Sequence, residues 1–152
     1  TPETTSFTLH LTPLPVPYVK HFDLEPADYY TDIITNGFSL AACSEERVIA
    51  IALGTIQSWN HSFWLQEFHV MRDFQRQGIG QQLMDAVKGL ARANDCRIII
   101  CETQNTNVPA IRFYRRMGFK VEALDLSLYT NSDYPDQEIA LFMKYRLHER
   151  LS

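Results

Sequence analysis

The chain has few of the residues that cross-link, coordinate or span. Of its 152 residues only three are cysteine (Cys43, Cys96 and Cys101), an odd number without metal-type spacing, so no disulfide framework or zinc knuckle is implied. The five histidines are equally scattered, and no metal site is expected. No apolar run approaches the roughly 20 residues that cross a bilayer, and the start lacks a basic segment followed by an apolar one. The expectation is a soluble, cytoplasmic protein with reduced thiols and no membrane partner. No basic run exceeds Arg115-Arg116 and the net charge is −4, which argues against a nucleic-acid surface, because such a surface clusters Lys and Arg to displace counterions. A cationic partner suits that charge better.

What is plentiful is core material. With 45% hydrophobic and 12% aromatic residues the chain excludes disorder, and its length suits one domain spanning 1–152. Phe7, Leu9 and Leu11 alternate as in a strand, followed by Pro13, Pro15 and Pro17, which confine it to an edge. A helix is expected from Pro26 to Asn36, closed by Gly37. Phe38–Cys43 and Arg47–Ile56 read as a hairpin around Ser44-Glu45-Glu46, and Phe63–Met71 as the next strand. The period then changes to 3.6, since Leu83, Met84, Val87, Leu90 and Ala91 share one face of a helix from Ile79 to Ala93. Arg97–Cys101 reads as a strand covered on both faces. A second helix, capped by Asn107 with Pro109 in its first turn, carries the stripe Ala110, Phe113, Tyr114 and Met117 and stops at Gly118. Phe119–Tyr129 and Ile139–Arg146 are the last strands. The fold class is therefore α/β, a mixed and mostly antiparallel sheet with helices on both faces and one parallel crossover, from the Phe63 strand to the Arg97 strand.

Gln75-Arg76-Gln77-Gly78-Ile79-Gly80 lies between a strand and an amphipathic helix, where backbone amides and the positive end of the helix converge on a site for an anion. Glycine at 78 and 80 lets a pyrophosphate approach the backbone. A P-loop is excluded because Gln81-Gln82 stands where Lys and Ser or Thr belong, and a dinucleotide fingerprint fits poorly because Leu83 replaces its third glycine. Two glycines also serve a plain tight turn.

Gln75, Gly78 and Gly80 match a Gln/Arg-x-x-Gly-x-Gly/Ala pattern that opens a helix after a central strand, and Asn107, Ala110, Tyr114 and Gly118-Phe119 form a second motif in the right order. Together they resemble the GCN5-related N-acetyltransferase superfamily over about Phe63 to Leu147. Within it, Glu102-Thr103-Gln104-Asn105, Phe113-Tyr114 and the closing segment from Asp136 look like streptothricin acetyltransferases, which acetylate an amine of a β-lysine-bearing antibiotic. The resemblance implies acetyl-coenzyme A as cosubstrate, held where the Phe63 and Arg97 strands splay apart near a bulge. It places the pyrophosphate on Gln75, Arg76, Gln77, Gly78, Ile79, Gly80 and Gln81. The pantetheine arm falls on the main chain of Phe68, His69 and Val70, with Asn107 contacting the cosubstrate or ordering its loop.

An alkyl amine with a pKa near 10.4 is free of its proton in only about one molecule in 10³ at neutral pH, and losing that proton costs roughly 4 kcal/mol. Glu67 is the best-placed acceptor for it; related enzymes tend to carry paired acids where this chain has Gln66 and Glu67, and Glu102 is the substitute. Tyr114 corresponds to the family's usual hydrogen-bond donor to the departing thiolate, although alone it reads equally as part of its apolar stripe. Cys101 reads as buried strand filler rather than a nucleophile, since no histidine adjoins it. His69 reads as a packing or solvent residue.

Acceptor contacts are expected from Asp23–Asp32, Trp59, Trp64 and the Tyr129–Asp136 loop, where acids alternate with rings suited to a cationic amine. The reading is an N-acetyltransferase of a small cationic amine. The alternatives are an acetyltransferase of peptide or protein amines, or a non-catalytic coenzyme A-binding module. An exposed sheet edge would permit a homodimer.

Overall fold

Pro26 stands where no amide is needed, just ahead of α1 (Ala27–Asn36), and the Gly37 amide closes that helix on the Ile33 carbonyl at 2.8 Å. This computed structural model describes residues 5–16, 19–20 and 24–147. Pro17 and Asp23, which entered the sequence reading, lie outside them. The hairpin follows as expected: β1 (Phe38–Ser44) and β2 (Arg47–Gln57) turn at Glu45-Glu46, and β3 (Ser62–Val70) returns antiparallel to β2. A single 3-10 turn at Arg72–Phe74 leads into α2 (Ile79–Ala93). Then come β4 (Ile98–Gln104), α3 (Val108–Arg116), β5 (Lys120–Asp125) and β6 (Ala140–Arg146). Among the described residues the six strands are ordered β1-β2-β3-β4-β6-β5, and only β3 and β4 pair in parallel.

Alternation along β2 divides the two faces. Ala50 and Ala52 point to a cluster in which Leu83, Met84, Val87 and Ala91 of α2 meet Phe63, Leu65, Ile99, Cys101 and Met143 of the sheet. Each large apolar side chain buried there contributes about 1.5–3 kcal/mol. Leu53 faces the other way. α1 packs on β1 and β2 with Ile33 buried.

Two expected strand assignments need correction. Phe7, Leu9 and Leu11 alternate as a strand does, yet residues 5–16 form none, and the three side chains are 56%, 46% and 65% exposed. Alternation makes a strand only where a ladder and a core accept it; among the described residues β1 pairs with β2 alone, and Pro13 and Pro15 offer no donors. The Phe119–Tyr129 strand stops at Asp125 because the Asp125 carboxylate accepts the Ser127 amide at 2.9 Å, a local turn that competes with the ladder.

The parallel pairing that positions the site is short. It runs from Ser62 opposite Ile98 to Leu65 opposite Cys101 and ends there, although β3 continues to Val70 and β4 to Gln104. At the same level the β2–β3 register shifts between Leu53 and Gly54, leaving Gln66 as the extra residue of a bulge. The strands open into a V whose apex is Leu65 and Cys101. This is the splay expected between the Phe63 and Arg97 strands.

Candidate active site

A cleft of about 570 Å³ lies where β3, the start of α2 and α3 meet, and Phe68, Val70, Gln75, Arg76, Gly78, Gly80, Gln81 and Tyr114 all line it. Residues as far as 46 positions apart in sequence, Phe68 and Tyr114, thus share one wall. Gly78 has φ 84° and ψ −3°, a left-handed conformation, and a Cβ there would meet nothing within 4 Å. Its glycine serves the turn and leaves the space in front of it open. Gly80 has a different reason: a Cβ there would lie 3.2 Å from the Phe113 ring, so glycine lets α2 and α3 touch. The first helical bond of α2 runs from Gln82 N–H to Gly78 O at 3.0 Å, so the amides of Ile79 to Gln81 have no carbonyl one turn back. The Gln75 side-chain amide donates to Val70 O at 3.0 Å and that of Gln77 to Asp73 O at 2.9 Å. Gln75 thus fastens the turn to the end of β3, and Gln77 fastens it to the 3-10 turn between them.

Tyr114 is 8% exposed and held in a run of rings: Phe68 to Phe113 at 5.3 Å, Phe113 to Tyr114 at 5.5 Å, Tyr114 to Phe119 at 5.4 Å and Phe119 to Tyr145 at 5.5 Å. Its phenol and the Cys101 thiol at the apex of the V influence one another's titration, and the Cys101 thiol lies 3.7 Å from Met143 O. Burial raises the Tyr114 phenol well above its ordinary range, and the nearby Cys101, Glu67 and Glu102 add to the rise. Burial likewise pushes the Cys101 thiol far up, only partly offset by Tyr114. A thiol so held is a poor nucleophile, in line with its reading as strand filler.

The opposite face of the splay is acidic. Glu67 pairs with Leu53 of β2 and therefore points away from α2; its Oε2 lies 2.6 Å from His69 Nε2, on the same face two residues on. The hydrogen bond to Glu67 is the main cause raising the His69 pKa, against the pull of burial. Tyr29 of α1 is close enough for Glu67 to raise its phenol, after burial. On the other lip, Glu102 follows Cys101 directly and accepts a hydrogen bond from the Tyr129 hydroxyl.

Other expected residues lie outside this cleft. Asn107 spends its side-chain oxygen on the Ala110 amide at 3.3 Å as the cap of α3, and it lines a separate hollow with Gln104 and Thr106. Trp59 is 82% exposed in the β2–β3 turn, at the end of the sheet away from the splay, and Trp64 stacks edge-on with Phe142 at 6.1 Å. Asp133 is 1% exposed and binds its own loop instead of facing an acceptor. The His69–Glu67 pair went unread although i, i+2 spacing on a strand signals a shared face. Nothing local signalled Tyr129 on Glu102. Among the described residues, no group of three or more His, Cys, Asp and Glu could hold a metal ion, and no helix is long and apolar enough to cross a membrane.

The acetyltransferase (GNAT) family model matches residues 7–119, which include the glycine turn, the splay and Tyr114. The chain belongs to this family. The streptothricin acetyltransferase of Streptomyces lavendulae is 30% identical over 143 residues, covering 90% of this chain and 75% of that protein. Streptothricin acetyltransferase A of Bacillus subtilis (strain 168) is 31% identical over 90 residues, 59% of this chain. The chain spans only 51% of that second relative's length. Among solved structures, nourseothricin acetyltransferase superposes with a TM-score of 0.62 at 28% identity, covering 69% of this chain and 61% of that one.

Proposed function

We propose that this GNAT-family chain transfers the acetyl group of acetyl-coenzyme A directly to a primary amine of a small cationic molecule of streptothricin type. The observation that carries the reading is the V itself: the cleft of the glycine turn and Tyr114 meets its apex from one side, and Glu67 and Glu102 stand on its two lips. The residues fit a diphosphate-bearing acyl carrier, because the Ile79–Gln81 amides lack intrahelical partners, Gly78 leaves the space before them open, and Arg76 adds charge. When bound, the cosubstrate supplies an acyl group already activated as a thioester.

The chain's own groups account for the rest. The Gln75–Gln81 turn holds the diphosphate, and the β3 main chain from Phe68 to Val70, which has no β4 partner beyond Leu65, orients the pantetheine arm. Glu67 takes the proton of the acceptor ammonium, and His69, mostly exposed beside it, passes charge to solvent. Tyr114 donates a hydrogen bond to the departing thiolate. Its raised pKa keeps the phenol protonated, so full proton transfer comes late.

The test is release of free thiol from acetyl-coenzyme A with streptothricin, polyamines and peptide N-termini offered separately. Turnover with streptothricin exceeding that with polyamines and with peptides is expected. Preference for peptides would move the acceptor to the protein-amine class. Thermal stabilisation by acetyl-coenzyme A with no thiol release from any amine would leave a binding module.

A further inference from the structure

The segment between β5 and β6 folds around a carboxylate and not around a core. Asp133 Oδ2 accepts the Tyr129 amide at 2.8 Å, while Oδ1 accepts the Thr130 amide at 2.8 Å and the Thr130 hydroxyl at 2.7 Å. The Asp133 carbonyl accepts the Gln137 amide at 2.8 Å, and the Tyr134 amide bonds Leu126 O at 3.2 Å. Burial opposes the Asp133 charge, but the donors from Thr130 and Tyr129 outweigh it and hold its carboxyl below the usual aspartate range. The loop is thus tied internally at both ends. What it carries outward is Tyr129, whose hydroxyl reaches Glu102, 27 residues upstream on β4.

Glu102 sits one residue past the apex of the V, on the face opposite Cys101 and shared with Ile100, the partner of Trp64. It is half-buried. The groups around it are Tyr129 from the loop, Lys20 from the amino-terminal segment, Tyr114 from α3 and its neighbour Cys101. Lys20 is itself engaged with Glu138. Burial favours the neutral form of Glu102, and Tyr129 and Lys20 both oppose that.

The geometry points to Tyr129 as a positioning residue that fixes Glu102 as the anionic anchor for the acceptor's cationic amine, with the Asp133-tied loop as the device that delivers it. The inference rests on the acetyl-transfer reading. It divides labour between the lips: Glu67 with His69 takes the proton, and Glu102 with Tyr129 holds the substrate. The phenol donates to Oε1 and leaves the other carboxylate oxygen to accept from the ammonium. Burial raises the Glu102 pKa and the Tyr129 hydrogen bond opposes that rise, so removing the hydroxyl makes Glu102 protonate at higher pH.

The experiment pairs Tyr129→Phe with Glu102→Gln and their double variant. Tyr129→Phe is expected to raise the acceptor KM about tenfold, leave the acetyl-coenzyme A KM and kcat near their original values, and move the acid limb of acceptor kcat/KM to higher pH. Placed on Glu102→Gln, it should add nothing further. Asp133→Asn, which loosens the loop and leaves the phenol intact, should act in the same direction if Tyr129→Phe fails to fold. An independent readout needs no turnover: the 13C carboxyl titration of Glu102 should shift upward in Tyr129→Phe. An unshifted titration in a variant that melts like the original, or KM effects that multiply in the double variant, would overturn the inference. A shifted titration in a protein that acetylates no amine would uphold the coupling and reject the acetyl-transfer reading instead.

Discussion

On the α2–α3 side of the V, the wall is mostly main chain and apolar rings, namely the Gly78 turn, Gly80 against Phe113 and the stack from Phe68 to Tyr145, with Gln75, Arg76 and Gln81 at the turn. On the other side it is polar side chains held in pairs, Glu67 with His69 and Glu102 with Tyr129. Packing and backbone dihedrals change little with pH, whereas carboxylates with neutral or titrating partners do. Under the proposed function, the first side serves the cosubstrate common to the family and the second the acceptor.

That contrast can be broken most sharply at Tyr114, which sits in the ring stack and feels the charge of Glu67 and Glu102. Tyr114→Phe keeps the ring stack and removes the hydroxyl, so kcat should fall about 10²-fold or more with acetyl-coenzyme A affinity within about twofold, measured by steady-state kinetics and calorimetric binding. Equal losses in both would assign Tyr114 to packing alone. Gly78→Ala probes the backbone side. A methyl group at φ 84° costs about 1–2 kcal/mol, a fall in melting temperature of roughly 2–8 °C, while no neighbour within 4 Å obstructs it. The loss should be nearly the same at pH 5.5 and pH 8.5. The smallest effect belongs to the polar side. The folded-state His69 pKa is raised, so its pairing with Glu67 stabilises fully below about pH 6.5 and is lost as pH rises through the raised value. His69→Gln should therefore lower the melting temperature at pH 5.5 by an amount equivalent to at most about 1 kcal/mol, because the imidazole is largely exposed, and by nothing at pH 9. A pH-independent loss would remove the distinction between the two sides.

The legibility of the chain follows the same division. Helix α2 was readable because Leu83, Met84, Val87 and Ala91 recur at helical spacing and Gly78 marks the turn; both are local facts. The Phe7–Leu11 alternation misled because it is also local, and a strand is settled by its neighbours. Gly80 reads as room for a ligand and does line the cleft, but its closeness to Phe113, 33 residues later, is visible only in the fold. Asn107 reads as a cap and, through the resemblance, as a residue that contacts the cosubstrate or orders its loop; the cap is what the structure shows. Tyr129 and Asp133 looked alike as loop residues offering polar groups to an acceptor. One turned outward to Glu102 and the other inward to its own backbone, a choice that depends on where β4 lies.

By itself the sequence determined the elements, the turn that opens α2, the ring stripe of α3 and the membership of the chain in its family, since each rests on residues close together or on spacing along one element. Only the tertiary structure decided where the parallel pairing ends, that Glu67 and Glu102 stand on opposite lips of the resulting V, and which partner each carboxylate takes. Those outcomes depend on a single-residue bulge at Gln66 and on contacts between groups far apart in the chain, and no local propensity encodes a direction in space.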